Sequence, residues 1–152
     1  MKRFHLFFGL ALLVVFLLTG QYMDIVHHHL AEMADKPRLL MRSRHIYILY
    51  SALVHLALGS YFLEHPLVWR KRLQWLGSTL MTVAAVLVVT AFFTEPWRQG
   101  WEMPTTLLGA VLFIGGAMSH AVSGLKRPGL GAEDNGLGAE DSQARGNQRD
   151  EG

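Results

Sequence analysis

Charged residues are absent from four long stretches of this chain, and that absence constrains its fold more than any other feature. The stretches cover residues 4–23, 45–63, 73–94 and 103–125, and none contains Lys, Arg, Asp or Glu. Each is long enough to cross a bilayer, because a helix needs roughly 20 apolar residues to span the hydrocarbon core. The sequence therefore predicts an integral membrane protein, and it excludes a soluble globular domain and a free-standing DNA-binding domain.

The connections between these stretches predict how the helices are arranged. Two of them, 64–72 and 95–102, are short, and short connections make consecutive helices antiparallel neighbours. We expect an all-α membrane protein whose four transmembrane helices form an up-down antiparallel bundle over residues 1–127. The first connection, 21–44, has no helix-breaking residue before Pro37, so the first helix is expected to continue past the membrane surface.

The end of the chain differs sharply in composition. Residues 128–152 are rich in Gly, Ala, Asp, Glu, Asn, Gln and Arg, and they repeat the hexapeptide Gly-Leu-Gly-Ala-Glu-Asp at 129–134 and 136–141. Such a segment cannot bury enough apolar surface to offset its ordering entropy. We expect a disordered cytoplasmic tail, whose repeat is either a partner-binding element or the product of slippage in a low-complexity segment.

Basic residues near the ends of the stretches predict the orientation. If the N-terminus is inside, seven basic residues outside the tail are cytoplasmic: Lys2, Arg3, Arg70, Lys71, Arg72, Lys126 and Arg127. Five are then on the outer side: Lys36, Arg38, Arg42, Arg44 and Arg98. Because cytoplasmic loops carry the excess of Lys and Arg, this bias predicts a bacterial inner-membrane protein with both termini in the cytoplasm. The first stretch is longer than the apolar core of a signal peptide, so we expect it to be retained.

Three histidines lie inside the stretches, apart from His45 at the very start of the second, and they are the first functional candidates. An ionisable side chain in a bilayer is energetically costly, so His5, His55 and His120 require an explanation. Each has a glycine four residues away, on its own helix face. These small residues could admit a haem b held by histidine axial ligands, with His5 and His120 best matched in depth. They are equally typical of closely packed transmembrane helices whose histidines form interhelical hydrogen bonds.

A second group of histidines lies in the first connection or directly after it, on the outer side. His27 or His28 could face His45 across a haem. Arg42 and Arg44 would then bind the propionates, since arginine forks bind carboxylates bidentately.

The same connection offers a metal-ion site as an alternative. If the first helix continues, Asp24, His28 and Glu32 are spaced four residues apart on one face, near His45. These oxygen and nitrogen ligands suit Zn(II), Cu(II) or iron. The chain contains no cysteine, so any cofactor must be held by ligands of this kind.

No catalytic motif accompanies these candidates. The chain lacks a G-x-x-x-x-G-K-[ST] phosphate loop, a G-x-S-x-G elbow and an H-E-x-x-H zinc motif. The first expectation is therefore a non-enzymatic subunit or assembly factor of a larger membrane complex, in contact with lipid and with no nucleic-acid partner. One alternative is a haem b electron-transfer protein that works with a quinone or another membrane redox partner, similar in general architecture to four-helix b561-type cytochromes. A second alternative is an outer-face metal-binding protein.

Overall fold

A computed structural model describes residues 1–31, 33–61, 67–100 and 102–125. The described residues form four α-helices: α1 (Lys2–Ile25), α2 (Asp35–Tyr61), α3 (Val68–Thr94) and α4 (Pro104–Gly124). Short 3₁₀ turns occupy His28–Leu30 and Glu95–Trp97. The described part of the chain contains no strand, so the predicted all-α class is confirmed there. Glu32 and the predicted tail lie outside the described residues.

Three helical segments have the length and hydropathy to cross a membrane: Lys2–Ile25, Val68–Trp97 and Pro104–Gly124. The prediction of a membrane protein is confirmed at this level. α2 differs because its first ten residues carry five charged side chains, whereas its remaining part, 45–61, carries none. The fourth membrane crossing stays a prediction.

α1 ends at Ile25, so the predicted extension of the first helix is wrong. The chain turns through two residues with positive φ, His28 at 45° and Leu30 at 63°, which favours the end of a helix over its continuation. Leu30 is only 2% exposed and packs in the apolar core, and this burial offsets the cost of its backbone conformation. Asp24 and His28 therefore do not lie on one continuous helix face.

α1 and α2 approach each other closely at glycines. A Cβ atom added to Gly59 would lie 2.6 Å from the backbone nitrogen of Leu6, and one added to Gly9 would lie 2.8 Å from that of Leu56. Real Cβ atoms essentially never approach this closely, so only glycine allows the contact. Small residues are the usual means by which transmembrane helices reach such distances.

α3 and α4 meet in the same manner. A Cβ atom at Gly77 would lie 2.8 Å from the carbonyl oxygen of Gly116. α2 also packs on α3, where Ala52 and Ala85 are both buried in one apolar cluster with Leu12 of α1. α3 therefore contacts the other three helices.

Candidate functional site

Three histidines from α1, α2 and α4 and one serine from α3 form a single series of hydrogen-bond contacts. Nδ1 of His5 lies 2.8 Å from Nδ1 of His55, and Nε2 of His5 lies 2.8 Å from Oγ of Ser78. Oγ of Ser78 in turn lies 3.2 Å from Nε2 of His120. We call this set, in the order His55, His5, Ser78 and His120, the histidine chain. All four helices contribute one residue to it.

The histidine chain is buried inside the bundle. His5 and His55 have no exposed surface and Ser78 is almost fully buried, whereas His120 is partly exposed one turn before the end of α4. The ring of Phe8 packs edge-on against His55, with the ring centroids 4.8 Å apart. Within the histidine chain, His120 is therefore the residue nearest to the surface of the bundle.

The two ring nitrogens of His55 have different surroundings. Nδ1 lies 2.8 Å from Nδ1 of His5. Nε2 is buried and has no partner with ordinary hydrogen-bond geometry among the described residues, although the Met81 backbone lies beside the ring. Within the described part of the protein, the side-chain contacts of the histidine chain therefore end at His55.

The glycines beside the histidines lie in close contact with the facing helices. Gly9 and Gly59 lie against the backbone of the facing helix, as described above. A Cβ atom at Gly77 would also lie 2.8 Å from Cδ2 of His120. These close contacts bring the four helices near enough for their polar side chains to meet.

The structure groups the intramembrane histidines more tightly than their spacing in the sequence suggests. The rings of His5 and His120, the pair matched in depth, have centroids 6.3 Å apart. His55, which was not part of that pair, belongs to the same cluster. Sequence reasoning missed Ser78 altogether; its hydroxyl within an apolar stretch, directly after Gly77, is the signal that could have identified it.

A buried ion pair lies toward the opposite end of the helices. Nε and Nη2 of Arg44 donate to Oε2 of Glu95 at 3.0 and 2.6 Å, and both residues are 1% exposed. Oε1 of Glu95 accepts hydrogen bonds from the backbone N–H groups of Thr105 and Thr106, both at 2.9 Å. The Thr106 hydroxyl donates to Oε2.

These contacts make Glu95 the cap of α4. The first N–H groups of a helix lack partners within the helix, and the helix dipole favours an anion at that position. Pro104 at the first helical position suits the same helix start because it has no N–H to satisfy. Glu95 therefore joins α2 to α4 through one carboxylate.

Arg44 and His45, both predicted to serve an outer haem, have partners within the chain. The carboxylate that Arg44 binds is that of Glu95. Nδ1 of His45 lies 3.0 Å from the Thr19 hydroxyl, and its ring stacks on Phe16 with the centroids 4.1 Å apart. The other predicted propionate ligand, Arg42, is exposed.

The remaining outer candidates have different surroundings. His27 packs against the rings of Tyr22 and Trp97, at centroid distances of 5.1 and 5.6 Å. His28 is exposed in the turn after α1, and Asp24 is partly buried in its last turn. Within the described ranges, no three His, Asp or Glu side chains are grouped closely enough to hold a metal ion together.

A cavity of about 650 Å³ lies between α2 and α4. Ala84 and Val88 of α3 line it, and the rings of Tyr50 and Phe113, 5.5 Å apart, connect α2 to α4 along its lining. Its lining is mainly apolar, with polar groups that include Arg44.

Comparison of the chain with models of protein families, with curated proteins and with solved structures finds no match in any of the three. The histidine chain and the ion pair are therefore the features from which a function is inferred.

Proposed function

We propose that this protein is a non-enzymatic membrane subunit or assembly factor whose buried polar side chains hold its helices together. One observation carries the proposal: several of the most deeply buried polar side chains form hydrogen bonds with side chains of other elements of the same chain. His5 bonds to His55 and Ser78, and Arg44 bonds to Glu95. Polar side chains within a membrane are expected to pair in this way when they serve helix association.

The same proposal includes four membrane crossings in an antiparallel bundle. Gly59, near the end of α2, lies against Leu6 at the start of α1. Near the end of α1, a Cβ atom added to Gly20 would lie 3.4 Å from Cε1 of His45, which is much earlier in α2. Contacts that run in opposite directions along two helices support an antiparallel pair. The uncharged part of α2, 45–61, supports its crossing, since the preceding charged turns can extend beyond the membrane surface.

A pair of reporter fusions tests the orientation. With both termini in the cytoplasm of a bacterial inner membrane, green fluorescent protein fused after Leu125 is expected to fluoresce and alkaline phosphatase fused there to be inactive. Fusions after Gly100 are expected to give the reverse result, because that position lies between the third and fourth crossings. Active phosphatase after Leu125 would contradict the cytoplasmic C-terminus.

Purification in mild detergent tests the role as a subunit. Wild-type chain expressed at its natural level is expected to elute as a colourless complex in which a larger membrane protein is present in a fixed ratio. A variant that ends at Leu125 separates the contribution of the tail, since loss of the partner in that variant would assign the contact to 126–152. A chain that elutes alone from every mild detergent would contradict the proposal.

A haem b protein is the second candidate, favoured by the convergence of three histidines from three helices. His5 and His120 are the axial pair that this function would use, and the Gly77 contact beside them would have to open to admit a porphyrin. A reduced-minus-oxidised visible spectrum decides between the two functions. A sharp α band with one haem per chain would replace the subunit proposal, whereas we expect a flat spectrum from cells supplied with haem. Metal analysis of the same sample tests the predicted outer Zn, Cu or iron site.

A further inference from the structure

We propose that the histidine chain is a proton relay that connects His120, near the end of the bundle, with the buried ring of His55. This inference goes beyond the structural role given above. It uses the same contacts for a different purpose, so either proposal can fail without the other. Chains of histidines within a membrane are a known means of moving protons through protein.

A short contact joins two nitrogen atoms of the same kind, Nδ1 of His5 and Nδ1 of His55. A neutral imidazole has one N–H donor and one bare acceptor nitrogen. The two Nδ1 atoms of His5 and His55 lie 2.8 Å apart, so one carries a proton and the other accepts it. The two rings must therefore be opposite tautomers.

Ser78 links the tautomer of His5 to that of His120 on α4. Its hydroxyl can donate one hydrogen bond while accepting another. It lies within hydrogen-bond distance of Nε2 of both His5 and His120. In the relay it accepts from one of these nitrogens and donates to the other, which requires these two rings to be opposite tautomers as well.

Two arrangements of protons make the three contacts one continuous series of donors and acceptors. In the first, Nε2–H of His120 donates to Ser78, Ser78 donates to Nε2 of His5, and Nδ1–H of His5 donates to His55. In the second, every donor and acceptor is reversed. His55 and His120 share one tautomer in both arrangements, and His5 has the other.

Proton uptake follows directly from the first arrangement. A proton from water binds Nδ1 of His120, and the Nε2 proton of that ring moves to Oγ of Ser78. The hydroxyl proton moves to Nε2 of His5, and the Nδ1 proton of His5 moves to Nδ1 of His55. One proton enters, three shift along existing hydrogen bonds, and the added charge ends on His55 as an imidazolium. The reverse sequence returns one proton to water.

Burial makes this route important for the inner rings. His5 and His55 have no exposed surface, whereas His120 is partly exposed. Exchange of the inner ring protons with water is therefore expected to pass through Ser78. A single substitution, Ser78→Ala, removes this hydroxyl and with it the connection between His120 and His5.

The experiment uses full-length protein with ¹⁵N-labelled histidine in lipid nanodiscs. NMR gives the tautomer of each ring and the rate at which its N–H proton exchanges with water. We expect Ser78→Ala to slow exchange at His5 and His55 by about tenfold or more, because one hydrogen-bonded step is lost. Ser78→Thr retains the hydroxyl and should exchange like wild type. Thr82→Ala is the matched control, since it removes a hydroxyl one turn further along α3 that bonds to the Ser78 carbonyl.

Either of two results would overturn the relay. One is unchanged exchange in a folded Ser78→Ala variant, which would show that water reaches the rings by another route. The other is the same tautomer for His5 and His55 in the wild type, which excludes the hydrogen bond between their Nδ1 atoms. Because the tautomer measurement needs no variant, it can overturn the relay even where Ser78→Ala fails to fold.

Discussion

Replacement of Glu95 by alanine is expected to destabilise the protein by about 3–5 kcal/mol, the usual cost of removing one partner from a buried ion pair. Arg44 would keep its charge in a site where it is 1% exposed, with no carboxylate to bind. The N–H groups of Thr105 and Thr106 would lose their acceptor at the same time. The free energy of unfolding, measured by circular dichroism in a mild detergent with increasing denaturant, checks this expectation.

Two further variants separate charge from hydrogen bonding. Glu95→Gln keeps an oxygen that can accept from the first turn of α4 but removes the negative charge, so its loss of stability should lie between wild type and Glu95→Ala. Arg42→Ala removes an exposed arginine from α2, the helix that carries Arg44, and should change stability by less than about 0.5 kcal/mol. Wild-type stability in Glu95→Ala would show that Arg44 and Glu95 do not form a buried pair in the membrane.

Replacement of Gly116 by alanine is expected to cost about 1–3 kcal/mol, because it overpacks the closest contact between α3 and α4. The added Cβ would lie 2.5 Å from Cγ of Met81 and 2.8 Å from the carbonyl oxygen of Gly77. The methionine side chain can move, but the carbonyl oxygen is backbone, so the two helices must separate. Separation would also lengthen the contact between Ser78 and His120, which depends on the same approach.

The neighbouring glycine provides a matched control for this variant. A Cβ atom at Gly115 would meet only Cδ1 of Leu80, at the ordinary contact distance of 3.8 Å. Gly115→Ala makes the same chemical change one residue earlier and should be neutral or slightly stabilising, since alanine favours a helix. Thermal unfolding of both variants in one detergent gives the comparison. Equal melting temperatures would contradict a tight contact at Gly116.

Short-range sequence signals located the helices well but misplaced the end of α1 and the start of α2, which begins at Asp35 within the predicted connection 21–44. The uncharged stretches predicted all four helices, because the exclusion of charge from a membrane acts on each stretch independently of its neighbours. The end of α1 depends on a distant contact, because Leu30, which follows α1, is buried in a core with Met41 and Ile48. No residue near Ile25 carries that information.

The sequence by itself determined that this chain is helical and belongs in a membrane, and it identified the histidines as residues in need of partners. Only the tertiary structure decided what those partners are. His5, His55, Ser78 and His120 lie on four different helices, and Arg44 meets a glutamate 51 residues away. The physical reason is that burial cost is a property of each residue and its local stretch, whereas a hydrogen bond depends on the distance and angle between groups that only helix packing brings together.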